Sequence, residues 1–328
     1  MPPSALALLS RLHHPLVRDL AWVLLAPDLI VTPYLGRPSI NELGLSDNAT
    51  LEAWLGQLEQ YPQGLQRYLG NTLAGRMGLY HERLWQFLLE RAPAIRLLAH
   101  NQRISRGKLT LGELDLLYCR KDDPTPVHLE VAIKFYLGLP DGPGPATDQA
   151  RWIGPSGADS LAIKRERLHR HQLPLSGMAE AREAIRSAVG ETTYEVDEPI
   201  PIKHRLAMPG VLFYPWHAPM PAPMEAGPAH LSGQWLFWKD WQQWRASQPA
   251  GTRGAWLRRP HWFAEPRDEQ LWSMQGLEQG LARHFQLAAS PLQLVVMTPD
   301  GQRQRLFLVA DDWPRQIPLP PMPACADG

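Results

Sequence analysis

Two extended runs, residues 109–119 and 127–137, flank a polar reversal, Lys121-Asp122-Asp123-Pro124, and constrain this chain more than anything else in it. Side chains of a strand alternate between two faces. In the second run Leu129, Val131, Ile133 and Phe135 fall on one side, and His128, Glu130, Ala132, Lys134 and Tyr136 on the other. In the first, Leu114, Leu116 and Tyr118 form the apolar set, while Glu113 and Asp115 share the opposite face with Leu111 and Leu117. A hairpin centred between Asp122 and Asp123 sets Asp115 opposite Glu130.

Directly opposed like charges destabilise a sheet unless something positive lies between them. A divalent cation relieves the conflict. Mg²⁺, or Mn²⁺ in its place, takes oxygen ligands and is commonly held by one or two carboxylates. An ordinary solvated hairpin face is the alternative, with Lys134 pairing diagonally with Glu113. Residues 78–91 precede the meander as a helix ended by Pro93, on which Glu82 shares a face with Trp85 and Leu89.

The remaining pattern reads as a strand over 95–103, helices over 158–171 and 178–189, and a buried strand at 210–214. Residues up to 75 read as short helices, Asn48–Gln60 among them. The carboxyl-terminal part predicts a helix carrying Trp235, Trp238, Trp241 and Trp244, a helix over 269–285, and a hairpin of 292–297 with 305–310 around Pro299-Asp300-Gly301. The tryptophans read as packing material. The prolines, 33 in 328 residues, gather where linkers are expected. The expected divisions are a helical region 1–75, a core 76–217, a proline-rich linker 218–229, a smaller α+β region 230–313 and a disordered tail 314–328.

Lys+Arg and Asp+Glu number 33 each, so affinity for a polyanion has to come from local patches. Lys164, Arg167 and Arg170, with Arg165 on the same helix after the meander, are the candidate phosphate contacts, together with Arg151, Arg103, Arg106 and Lys108 near the sheet; an ordinary solvated helix face is the alternative. Two cysteines, Cys119 and Cys325, build no disulfide framework or zinc site and point to a reducing, cytoplasmic setting. No run of about 18 apolar residues predicts a membrane span. Gly-x-Ser-x-Gly and Gly-Lys-Ser/Thr motifs are absent, which argues against a serine hydrolase or a P-loop enzyme.

Gly-Glu-Leu-Asp-Leu-Leu at 112–117 and Leu-Glu-Val-Ala-Ile-Lys at 129–134, between a Glu-bearing helix and a basic helix, resemble the PD-(D/E)XK nuclease superfamily over about residues 76–217. The whole chain is similar to an uncharacterised bacterial family of unknown function grouped with those nucleases. The resemblance implies an α/β protein with a restriction-endonuclease-like core: helix, three-strand meander, helices, strand. It further implies that Glu82, Asp115 and Glu130 ligate Mg²⁺ or Mn²⁺, that Lys134 assists the attacking water, and that the substrate is nucleic acid, DNA first. One departure stands out. The superfamily lysine lies two residues beyond the glutamate, where this chain has Ala132, and Lys134 lies two further on. A degenerate member that binds nucleic acid or serves as a scaffold without cutting is the other expectation.

Overall fold

A computed structural model describes residues 1, 3–190 and 200–319. In chain order the elements begin with α1 (Pro3–Arg11), α2 (Pro15–Leu25), α3 (Asn48–Gln60), α4 (Gln63–Leu69) and α5 (Met77–Arg91). Then come β1 (Ile95–Arg106), β2 (Leu109–Arg120), β3 (Val127–Val131), β4 (Lys134–Gly138), β5 (Trp152–Ile153), α6 (Leu161–Arg167) and α7 (Ala179–Val189). The last group is β6 (Lys203–Ala207), β7 (Gly210–Pro215), β8 (Leu231–Phe237), α8 (Trp241–Ala246), β9 (Arg253–Leu257), β10 (Trp272–Ser273), α9 (Met274–Leu287), β11 (Leu292–Met297) and β12 (Arg303–Val309).

The chain divides into two compact units. The first joins Met1–Ile133 to Glu166–Pro209, and the second joins Lys134–Arg165 to Gly210–Gly328. These limits differ from the expected divisions: all three, at 133/134, 165/166 and 209/210, fall inside the core expected at 76–217. The proline-rich stretch 218–229 separates no units, because the strands on either side of it, β7 and β8, pair in one parallel ladder.

The first unit holds a sheet of order β1-β2-β3-β6, in which β6 runs parallel to β3 and the other neighbours are antiparallel. Helix α5 is amphipathic, burying Tyr80, Leu84, Trp85, Leu88 and Leu89, and it packs on β1, β2 and β3. Helix α7 packs on β1 through Ala181 and Ile185, which join Ile104, Leu114 and Leu117 in one apolar cluster. Around α2 the interior carries charge: Tyr80 donates to Asp19 at 2.8 Å, and the Arg18 guanidinium is held by the carbonyls of Leu9 and Leu12.

The second unit holds a sheet of order β10-β9-β11-β12-β8-β7-β4-β5. Its interior is built from aliphatic strands and aromatic rings, with Phe307 edge-on to Phe213 and to Trp262. Trp241 and Trp244 are buried as packing, but the single tryptophan-bearing helix does not exist: Trp235 lies on β8, Trp238 opens a 3-10 turn, and only Trp241 and Trp244 are on α8. Of the tail, 314–319 is described and begins against its own unit, Gln316 donating to the Ser156 carbonyl at 3.3 Å. Residues 320–328, with Cys325, lie outside the described residues.

Three further expectations are corrected. Residues 127–137 are not one strand: Ala132 and Ile133 interrupt it, leaving β3 in the first sheet and β4 in the second. The strand completing the first sheet is β6, a polar segment without a strand pattern, whereas 210–214 forms β7 of the other sheet. The helix expected over 158–171 begins at Leu161 and passes at Leu168–Gln172 into a π-helical turn, then at Leu173–Gly177 into a 3-10 turn.

Candidate functional site

The β2–β3 ladder pairs Leu116 with Leu129, Leu117 with His128 and Tyr118 with Val127, so one further step of the same register places Asp115 across from Glu130. The turn fixed this register, as hairpin turns do. Beyond the last bridged pair Asp115 takes over from the ladder: its Oδ2 accepts the Val131 amide hydrogen at 3.0 Å, satisfying a backbone donor that a continued strand would have paired.

Glu130 is completely buried. It therefore belongs to no solvated hairpin face, and burial of a carboxylate is tolerated only where hydrogen bonds compensate the lost hydration. Its Oε1 lies 2.8 Å from His128 Nε2, and its Oε2 accepts from Gln172 Nε2 at 2.7 Å. A carboxylate only accepts, which makes His128 Nε2 the protonated nitrogen and Nδ1 an acceptor in the neutral ring. Ser176 Oγ is 3.0 Å from that Nδ1, 2.8 Å from His204 Nε2 and 3.4 Å from the Leu173 carbonyl, so its single hydrogen is offered to His128 Nδ1 and to the Leu173 oxygen, while His128 donates to Glu130. Burial pushes the His128 pKa down to about 4, the Asp115 charge pulling the other way, so the imidazole is neutral at pH 7.

Glu82, half-buried on α5, accepts from Gln86 Nε2 at 3.1 Å and, over a very short bond, from Asn101 Nδ2. The same Asn101 amide group reaches Glu113 at 3.0 Å, and its Oδ1 accepts from Gln86 at 2.7 Å. Asn101 adopts φ +50°, a left-handed conformation that asparagine tolerates better than most residues. Burial raises the Glu82 pKa; the Asn101 bond opposes this, and the charges of Asp115 and Glu113 push it further up. Glu82, Glu113 and Asp115 thus share one electrostatic neighbourhood, while Glu130 is engaged by His128 and Gln172.

Lys134 is placed otherwise. It opens β4 in the second unit, where its amine bonds Asp159 at 2.5 Å, and the buried Tyr136 hydroxyl donates to the same carboxylate at 3.3 Å. Of the proposed phosphate contacts, Arg170 is paired with Glu166 at 2.6 Å, Lys164 is half-buried, and Arg167 is exposed. Arg165, beside them, pairs with Glu225 at 2.5 Å.

Mg²⁺ or Mn²⁺ requires oxygens converging at about 2.0–2.1 Å. Among the described residues no group of three His, Cys, Asp or Glu side chains is arranged to hold a metal ion. Both Glu130 oxygens face N–H donors, one Asp115 oxygen is bound to a backbone amide, and Glu82 is bound by Asn101 and Gln86. As arranged, the side chains do not fit such a cation. Sequence reasoning missed His128's partnership with Glu130, although their i, i+2 spacing on a strand signals one face; it also missed Gln172, Ser176 and His204, which the irregular turns and β6 bring in.

Among the described residues no helix is long and apolar enough to cross a membrane. No curated protein and no solved structure matches the chain. Residues 18–309, from within α2 to the end of β12, match the family described as Domain of unknown function (DUF1853). The match takes in both sheets, and the chain belongs to that family.

Proposed function

We propose that the first unit is a nuclease-type core of the PD-(D/E)XK kind that binds nucleic acid, DNA first, without cutting it. The order α5, β1, β2, β3, α7, β6, with β6 parallel to β3, supports the core. The observation that carries the loss of chemistry is Glu130: buried, with both oxygens bonded to His128 and Gln172, and followed by Ala132 where the superfamily pattern has its lysine. Phosphodiester hydrolysis of this class needs a cation that lowers the pKa of water and polarises the phosphate, and a carboxylate held this way offers it little.

A second reading, a metal-dependent nuclease of the cytoplasm, is favoured by one observation. Glu82 shares its neighbourhood with Asp115 and Glu113, whose charges add to the larger effect of burial in raising its pKa, and a cation would relieve the repulsion among the three. The deciding experiment incubates the protein with single- and double-stranded DNA and RNA, with Mg²⁺ or Mn²⁺, beside Asp115→Asn and Glu130→Gln. Binding without cleavage is expected for all three proteins, and calorimetry is expected to show no specific cation uptake. Cation-dependent cleavage that either substitution abolishes would overturn the first reading in favour of the second.

A further inference from the structure

The β1–β2 ribbon is anchored at its base and bare at its tip. Ile104 and Leu111 pack into the apolar cluster with Ala181 and Ile185 of α7. Between Ile104 and Ser105 the register shifts, leaving Leu111 as the extra residue of a bulge. Bulges bend a ribbon and increase its twist, and so re-aim what lies beyond them. Beyond this one, every residue from 105 to 110 is exposed. The tip closes in a two-residue turn, Gly107-Lys108, with Gly107 at φ +60°, the hand that suits the twist of a hairpin and that a side chain at this position would resist.

Three cations stand on this ribbon end. Arg103 and Lys108 are exposed; Arg106 is exposed and its Nε bonds Glu180 at 2.6 Å. Two acidic groups meet these cations: that Glu180, at the start of α7, and Glu113, which lies opposite Arg103 in the ladder and is itself bonded to Asn101. Leu109, 63% exposed, sits directly after the turn. A single exposed leucine is ordinary on a protein surface, but at the tip of a cationic hairpin it is of the kind that DNA binders insert against base steps. A two-stranded ribbon fits the major groove, about 12 Å wide, and three residues of strand, at about 3.3 Å each, carry Arg103 about 10 Å back from the turn. Helix α6 and the turn after it, by contrast, spend Arg165 and Arg170 on Glu225 and Glu166.

We infer that the tip of the β1–β2 hairpin, with Arg103 and Lys108 on phosphates and Leu109 against the bases, is the element by which this chain holds duplex DNA; this rests on the nucleic-acid-binding reading above. The test is fluorescence anisotropy of a labelled mixed-sequence DNA duplex over a range of salt, with the full chain. Arg103→Ala/Lys108→Ala should flatten the slope of log K against log salt by about 2 and weaken binding about fiftyfold near 0.1 M salt. Leu109→Ala should weaken binding with the slope unchanged. If the unaltered protein binds and the double variant keeps its affinity and slope, or if Arg167→Ala/Arg170→Ala takes the loss instead, the hairpin assignment is overturned and DNA binding stands. If the unaltered protein shows no salt-dependent binding to the duplex, the reading beneath it falls as well. Both altered residues are exposed, so circular dichroism is expected to show an unchanged fold.

Discussion

The two sheets of this protein solve opposite problems. The four-stranded sheet of the first unit encloses a carboxylate, an imidazole and a hydroxyl, with a second, half-buried imidazole beside them, and has to bond each of them. The eight-stranded sheet of the second unit encloses Phe213, Phe307, Trp235 and runs of leucine and valine; its chief buried cation, Arg305, is held by the carbonyls of Trp262 and Phe263. Apolar burial is non-directional and tolerates loss by degrees, whereas a buried polar chain fails when one member goes unpaired. A core of the second kind suffices for stability, so the first unit carries its polar chain at a cost that stability alone does not explain.

The comparison is sharpened most by Phe307→Ala, which removes a ring contacting Phe213 and Trp262 and should cost about 3–5 kcal/mol, read from the urea midpoint. A loss below about 1 kcal/mol would mean that this core is loosely packed. Glu130→Ala should cost about 3 kcal/mol, because His128 and Gln172 keep buried donors without an acceptor, and Glu130→Gln should recover part of it. Equal losses for the two substitutions would show that charge, rather than hydrogen bonding, is what the site requires.

Acid should separate the two units. Burial holds His81 down to about 3 and His128 to about 4, both below the 6.5 of a free imidazole. The unfolded chain therefore takes up protons that the folded one refuses. Their contribution is whole above pH 6.5 and is lost as the pH falls from there towards those values, by about 2 kcal/mol in all between pH 7 and 5.5. The opening free energy from amide exchange, corrected for the intrinsic pH dependence of exchange, should fall over that interval more in β3 than in β11; an equal fall in both would contradict the buried neutral imidazoles. The smallest effect is expected of Lys134→Ala. Its ion pair with Asp159 is about 30% exposed on both sides, so the change should cost about 0.5 kcal/mol and leave DNA binding as it was. A loss of several kcal/mol would reveal an unforeseen role for that amine.

Much of the first sheet was legible, and the reasons are local. The Lys121–Pro124 reversal set the β2–β3 register because a turn of fixed length leaves one pairing that keeps Leu116 and Leu129 together. Helix α5 announced itself by apolar periodicity and its stop at Pro93. The interruption at Ala132 and Ile133 gave no sign, since both are apolar and continue the alternation; only the change of partner strand reveals it. Strand β6, Lys-His-Arg-Leu-Ala, hides because its polar half faces side-chain partners such as Ser176 and Glu42. At the site, Asp115, Glu130 and Glu82 were readable as acids out of place. Gln172 was not, because it acts from a π-helical turn whose side-chain directions no helical period describes.

β3 and β6 pair with Val131 beside Ala207, and β4 and β7 pair with Lys134 beside Gly210, the same offset along the chain in both ladders. Two residues join the strands on each side, Ala132-Ile133 and Met208-Pro209. The two crossings are consequently equal in length, so both strand pairs keep the same stagger along the chain, each ladder holding its register within its own sheet.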